Sequence, residues 1–308
     1  MASNRFPGPC KTCGQSVPAE AGELRKEQGA WVVYHPGCVP PAGPGWHSGV
    51  IGSYDCETTG RDPLTARLVS AAFVTSDGGR HDFLVDPGVE IPAETTAVHG
   101  ITTEYAREHG SAPGQALERI AELLAAHLSG GLPLVVFNAP YDLTLLEMEL
   151  ERHGLRSLLS RVDAIEPVVD PLVIDKAVDR FRKGKRNLES QCAHYGVRIE
   201  GAHDAAVDAI AAMEVAKALA ERYPEVGQST PAELHRQQAV WKAAAERDFA
   251  AYRERRGEAY QAEPGWPVRE RTVPGQSAPG QSAREPRDTA EEPAAGLAEL
   301  PSAPGGLF

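Results

Sequence analysis

Four carboxylates and one imidazole stand at the ends of three separated segments of this chain, and only a fold that gathers those ends gives them a common purpose. The segments are Ser53-Tyr54-Asp55-Cys56-Glu57-Thr58-Thr59-Gly60, Phe137-Asn138-Ala139-Pro140-Tyr141-Asp142 and His203-Asp204-Ala205-Ala206-Val207-Asp208. Each follows a strand-like run or opens a helix-like one. Brought together, Asp55, Glu57, Asp142 and Asp208 offer hard oxygen ligands to two divalent cations, with His203 beside them.

The local patterns say how such a convergence could arise. Val50-Ile51-Gly52-Ser53-Tyr54 is apolar enough for a central strand. Residues i and i+2 of a strand share a face, so Asp55 and Glu57 project together. Two like charges that close repel unless a cation lies between them. Mg²⁺ or Mn²⁺ suits such ligands. Leu134-Val135-Val136-Phe137 is a short buried-strand pattern, and Asp142 falls in the first turn of the helix after it. His203 and Asp208 are not on one helical face, so they converge only if His203 precedes the helix start, which Gly201-Ala202 would permit. An imidazole placed there suits a general base. Each segment alone has an ordinary explanation: an exposed acid at a strand end, an acid favoured by a helix N-terminus, a turn begun by Asn138, a His beside a capping Asp204. The combination is the specific signal.

The order Asp-x-Glu-Thr-Thr-Gly, Asn-x-x-Tyr-Asp and His-x4-Asp resembles the DnaQ-like 3′–5′ exonucleases of the DEDDh type, over roughly residues 49–222. These include the proofreading epsilon subunit of DNA polymerase III. Ala97-Val98-His99-Gly100-Ile101-Thr102 resembles the family's His-Gly-Ile-Thr stretch beside the nucleotide site, and Asp170–Asp175 its strand-plus-Asp region. The resemblance implies an α/β, ribonuclease H-like fold: a mixed five-stranded sheet flanked by helices. It implies two Mg²⁺ or Mn²⁺ ions, with Asp55 bridging both, Glu57 and Asp208 on one, Asp142 near the other, and His203 taking a proton from water. It also implies that Thr58 and Thr59 read a terminal 3′-OH through their backbone, with His99 and Asn138 near the nucleotide. Cys56, on the opposite strand parity, reads as a small core residue turned away from the metals.

The chain has 308 residues and a net charge of −12, from 43 acidic and 31 basic side chains. A nucleic-acid enzyme so acidic needs a local basic patch. Lys176, Arg180, Arg182, Lys183, Lys185 and Arg186 supply one, and Arg182, Lys183, Lys185 and Arg186 are the expected phosphate contacts. A solvated run of charges is the alternative. No apolar run is long enough to span a membrane, and the N-terminus lacks a signal-peptide core. The five cysteines point to a reducing compartment, so a cytoplasmic location is expected.

Cys10-Lys11-Thr12-Cys13 and His35-Pro36-Gly37-Cys38 are two turn-prone ligand pairs with Cys3His spacing for one structural Zn²⁺. They resemble LIM-like or treble-clef modules over about residues 8–40. A disulfide from Cys38 to Cys10 or Cys13 is the rival, and it leaves a thiol and His35 unexplained. The expected organisation is a zinc module and linker over 1–45, the exonuclease domain over 46–225, a helix packed on the core over 226–262 and a disordered tail over 263–308. Strands are expected at 48–56, 67–76, 80–86, 133–137 and 167–170. Helices are expected at 113–128, from 141, from Asn187 to near Gly196, from 203 and at 231–256. The tail repeats Pro274–Ala283 as two Pro-Gly-Gln-Ser-Ala units and is disordered by composition. DNA with single-stranded 3′ ends is the expected partner, with replication or repair proteins reached through the zinc module or tail. An RNA-trimming exonuclease is the alternative within the enzyme class, and a non-catalytic adaptor the alternative outside it.

Overall fold

The computed structural model describes residues 2–27, 30–38, 44–199, 203–260 and 262–270. The expected tail beyond Glu270, with its repeat, lies outside the described residues, as does the Gly201-Ala202 step.

The N-terminal segment builds two small sheets. Strands β1 (Ala2–Ser3), β4 (Glu23–Glu27) and β5 (Ala30–Tyr34) form one in that order, and β2 (Gly8–Pro9) pairs with β3 (Ser16–Val17) in the other. Among its described residues, Cys10, Val17 and Tyr34 form the buried apolar cluster. That is too little to stabilise a fold without a staple.

The sheet that follows is formed by β6 (Gly52–Thr58), β7 (Leu68–Thr75), β8 (Arg80–Leu84), β9 (Leu134–Val135) and β10 (Val168–Val169). Its order is β10-β9-β6-β7-β8. The β6–β7–β8 part is antiparallel, while β9 runs parallel to both β6 and β10. This is the expected mixed five-stranded arrangement. The first strand starts later than the sequence suggests, because Trp46–Ser48 makes a 3-10 turn whose Trp46 indole donates to the Val226 carbonyl at 3.0 Å.

Helices α1 (Ala93–His99) and α2 (Thr103–His109), which the periodicity does not predict, fill the connection from β8 to α3 (Pro113–Ser129). Then come α4 (Ala139–Arg152), α5 (Pro171–Val178), α6 (Leu188–Tyr195), α7 (Ala205–Arg222), α8 (Pro224–Gly227) and α9 (Pro231–Arg255). Ile174-Asp175 therefore lies in a helix, not in a strand: Asp170 caps it through Leu172 N–H at 3.0 Å and Pro171 supplies its first turn.

Strand parity on β6 divides the core in two. Tyr54 and Cys56 face the layer of α3 and α4, with Leu117, Ile120, Leu124, Leu143 and Leu146. Ile51 lies in the opposite layer with Ile174, Met213, Val215 and Leu219. Asp55 and Glu57 share Ile51's parity and so lie on the α7 side. Beside Asp55, its cross-strand partner Ala72 packs on Ala205 and Ala206 at the start of α7. Small side chains there let the helix N-terminus approach the sheet closely.

Residues 264–270 depart from the expected disordered tail. Trp266 and Val268 pack on the α3–α4 core, and Arg269 N–H donates to Thr144 Oγ1 at 2.9 Å. A tryptophan and a valine in an otherwise polar run give this piece enough apolar area to dock.

Candidate active site

His203 is held in the left-handed region at φ 70, just ahead of α7. Asp204 caps the helix by accepting from Ala206 N–H at 3.0 Å and Val207 N–H at 3.2 Å. This break in helical geometry lets residues of incompatible helical spacing meet. The His203 N–H donates to Asp208 Oδ2 at 3.2 Å. Ligand atoms of Glu57, His203 and Asp208 all lie within 4.8 Å of one another. The His203 ring is exposed.

Asp142 enters from the other layer, in the first turn of α4, with 5% of its surface exposed. Its Oδ1 accepts from the Cys56 amide at 3.2 Å and from the Cys56 thiol at 3.0 Å. Cys56 is the buried core residue that its strand parity implies, and it also holds Asp142, a role the sequence did not suggest. Cys56 does face away from Asp55 and Glu57, but α4 reaches round the strand on that side and brings Asp142 against it.

The electrostatics are those of crowded acids. Burial, then the charges of Asp142, Asp208 and Glu57, pushes the Asp55 carboxyl well above its ordinary range. Glu57 is raised to about 8 by burial and by Asp208 and Asp142. Asp142 is raised to about 7 by burial, against the lowering effect of its Cys56 hydrogen bonds. Asp208 is raised by burial, and its Oδ1 is buried with no hydrogen-bond partner. An orphaned carboxylate oxygen among mutually repelling acids is what a hard divalent cation would satisfy. The donor set fits Mg²⁺ or Mn²⁺.

The surrounding residues divide. Thr58 Oγ1 and the Tyr141 hydroxyl are 2.6 Å apart, and both donate to the Gly60 carbonyl, which fixes the turn after β6. Thr59 is tied to Arg67: its N–H donates to the Arg67 carbonyl at 3.0 Å, and its hydroxyl accepts from Arg67 N–H at 2.9 Å. That engagement occupies the Thr59 N–H, one of the backbone groups of Thr58 and Thr59 expected to read a 3′-OH. His99 ends α1; its Nδ1 accepts from Ile101 N–H at 3.1 Å, and its Nε2 is buried without a hydrogen-bond partner. Burial lowers its pKa, and His203 adds to that effect. Asn138 is exposed at φ 61 before α4.

Sequence reasoning missed the group that holds Asn138. Fully buried Asp170 accepts from the N–H groups of Asn138 and Ala139, each at 3.0 Å. Gln238 of α9 in turn accepts from Asp170 N–H at 2.6 Å. The Asp-Pro step at a helix start was the available signal.

The basic segment is also corrected. Arg182 and Arg186 point inward to the fully buried Asp175, at 2.7 and 2.6 Å, where the Tyr195 hydroxyl also donates at 2.6 Å. They are structural ion pairs, because a buried carboxylate needs compensating donors. Lys183 and Lys185 stay exposed.

In the N-terminal segment, Cys10 and Cys13 lie in the β2–β3 turn, and His35 and Cys38 follow β5. The ligand atoms of all four lie within 4.8 Å of one another. Cys13 Sγ is 3.5 Å from His35 Nδ1. The Gly14 N–H donates to the Cys10 carbonyl at φ 71, tightening the turn. The Cys38 thiol is pushed up to about 11 by its contact with Cys13, by burial and by its neighbours' charge. Crowded sulfur and imidazole donors of this kind fit Zn²⁺.

Comparison with known proteins agrees with this arrangement. The exonuclease family model RNase_T matches residues 53–216. A DNA polymerase III subunit epsilon-like protein from Rhodobacter capsulatus is 32% identical over 170 residues, which are 52% of this chain and 22% of that protein. The DNA polymerase III subunit epsilon of Rickettsia conorii is 29% identical over 173 residues, covering 52% of this chain and 69% of the relative. Among solved structures, E. coli exonuclease I in complex with a dT13 oligonucleotide has a TM-score of 0.50 at 21% identity, over 58% of this chain and 42% of that one, a likeness of fold. The sheet order, the gathered acids and the family match lead to one conclusion: the chain belongs to the exonuclease family.

Proposed function

We propose that this protein is a metal-dependent 3′–5′ exonuclease that shortens DNA from its 3′ end to 5′-mononucleotides, in replication proofreading or repair. The observation that carries the reading is the meeting of Glu57, His203 and Asp208 within 4.8 Å, with Asp208 Oδ1 left buried and unpartnered. Asp55, Glu57, Asp142 and Asp208 would hold two Mg²⁺ or Mn²⁺ ions. Such ions supply an activated water and offset charge on the attacking and leaving oxygens.

The chain's own residues do the rest. His203 is exposed and fixed by its own N–H on Asp208, so its ring can take a proton from water at the edge of the acid cluster. Cys56 holds Asp142 in place through two donors. Asp170 fixes the Asn138 turn, and Tyr141 with Thr58 fixes the turn after β6. Zn²⁺ on Cys10, Cys13, His35 and Cys38 would staple the N-terminal module. The likeness to polymerase III epsilon subunits favours a replication or repair partner. Among the described residues no helix is long and apolar enough to cross a membrane, and we place the protein in the cytoplasm on its five free cysteines.

The test is digestion of matched 3′-labelled and 5′-labelled DNA and RNA oligonucleotides with Mg²⁺ or Mn²⁺. The 3′ label should leave at once as a mononucleotide, while the 5′-labelled DNA shortens stepwise. Preferential trimming of RNA would move the substrate to RNA. No cleavage with either metal would overturn the reading.

A further inference from the structure

Phe181 is 89% exposed, the most solvent-exposed of the large apolar side chains described. It lies in the connection between α5 and α6, and its neighbours explain why it is held there. Arg182 and Arg186 are drawn inward onto Asp175, and Arg186 also donates to the carbonyls of Asp179 and Arg182. Arg182 donates to the Lys185 carbonyl at 3.2 Å. Gly184, at φ 99, turns the chain between the two lysines. The loop is thus pinned from below by two guanidinium groups on one buried carboxylate. Its exposed side chains are Arg180, Phe181, Lys183, Lys185 and Asn187.

Two of the acids near this face are engaged, while Glu189 of α6 is exposed and forms no ion pair among those found in the described residues. Asp179 lies 4.0 Å from Arg182 Nε and 3.5 Å from His194 Nε2, and Asp248 of α9 is paired with Arg180 at 3.0 Å. Lys183 and Lys185 form no ion pair among those found in the described residues. On a chain of net charge −12, this gives a local cationic face with an aromatic ring at its edge. Its position is also informative. Helix α6 starts directly after the loop and packs against α7, and its Glu189 is close enough to act on the Asp208 carboxyl.

We propose that the 179–187 loop is a docking face for single-stranded nucleic acid, with Phe181 stacking on a base and Lys183 and Lys185 meeting flanking phosphates. This rests on the exonuclease reading and adds a grip outside the acid cluster. Every base has a face to stack on, and every nucleotide has a phosphate, so the contact is indifferent to sequence. Pinning by Asp175 means that little ordering is lost on binding.

The test uses the full chain with Asp208→Ala to stop turnover, and a 5′-fluorescein dT oligonucleotide followed by anisotropy across a salt series. Phe181→Ala should weaken binding by roughly 5- to 100-fold, and Phe181→Trp should retain it. Lys183→Ala with Lys185→Ala should lower the salt slope by about 1.4, at about 0.7 for each phosphate contact. With the acids intact, Phe181→Ala should raise KM for trimming and leave kcat unchanged. Such an exposed ring contributes nothing to the core, so circular dichroism melting should match the parent. Unchanged affinity and slope in these variants would overturn the proposal and leave Phe181 to a protein partner. That result stands apart from the exonuclease reading, which fails only if the parent protein trims nothing.

Discussion

The Cys56 thiol lies 3.0 Å from Asp142 Oδ1, and the Cys56 amide reaches the same oxygen at 3.2 Å. One residue of the central strand therefore holds a carboxylate that arrives on a helix from the far side of the sheet. A thiol is a weak donor, but this one is buried and the acceptor is an acid. Cys56→Ser should keep trimming close to the parent rate, because the hydroxyl can replace the bond. Cys56→Ala should slow it by roughly 3- to 10-fold, the range of an ordinary hydrogen bond, because the thiol is a weak donor and the backbone amide remains. Steady-state rates on a labelled oligonucleotide at saturating metal decide this. Equal rates for the Ala and Ser variants would show that the backbone amide alone holds Asp142.

Without metal, the acid cluster should make the fold less stable as pH rises. The folded pKa of Glu57 is about 8 against a usual 4.5, and that of Asp142 is about 7 against 3.8. Raised values mean that the folded state binds more protons than the unfolded chain, so this stabilisation is complete below about pH 4 and is lost as pH rises toward 8. Melting temperature in EDTA should fall over that window, and Glu57→Gln should flatten the fall. Added Mg²⁺ or Mn²⁺ should raise the melting point far more at pH 8 than at pH 5, because metal binds the ionised acids. A metal-induced shift that is equal at both pH values would contradict the cluster as the binding site.

His203→Asn should slow catalysis by roughly 10²–10⁴-fold. Asparagine tolerates the left-handed conformation that His203 adopts at φ 70, so the start of α7 should persist. Single-turnover rates measure the loss, and calorimetry should show metal affinity retained. A collapse of affinity instead would make His203 a ligand, since its ring nitrogen lies within 4.8 Å of the Glu57 and Asp208 oxygens.

One Zn²⁺ per chain should copurify, and Cys38→Ser should release it. Among the described residues the N-terminal segment has three buried apolar residues in its cluster, so metal removal should unfold it while the exonuclease domain stays folded. Elemental analysis measures the first, and limited proteolysis with and without chelator the second. A zinc content near zero after purification without chelator would return the cysteines to free thiols.

What the sequence made legible was short-range. Asp55 and Glu57 share a face because strand period is two, and α3, α7 and α9 follow from apolar spacing. The parts that were not legible depend on contacts between distant residues. Cys56 meets Asp142 only because α4 crosses behind β6. Asp170 holds the Asn138 turn only when β10 lies beside β9, with Gln238 of α9 placed by the same packing. Helices α1 and α2 are seven residues each, too short for a clear period. The basic run looked uniform in sequence, but a single buried carboxylate sorted it into inward and outward members.

That sorting gives the last prediction. Asp175 is fully buried and receives Arg182, Arg186 and Tyr195. Removing its charge would leave Arg186 without an anion and Arg182 with only Asp179 at 4.0 Å, a loss on the order of 3–5 kcal/mol. Asp175→Asn should therefore lower the melting temperature by several degrees. Arg186→Lys should not rescue the loop, because a lysine cannot donate from a planar fork to the carboxylate and to the Asp179 and Arg182 carbonyls together. Lys183→Ala and Lys185→Ala, both at exposed positions, should change stability by less than about 0.5 kcal/mol. Thermal melts of the four variants at two salt concentrations separate the classes, since a buried pair is screened far less than a surface charge. If Asp175→Asn melts with the parent protein, the two arginines are held by their backbone acceptors alone, and the carboxylate is not what organises the loop.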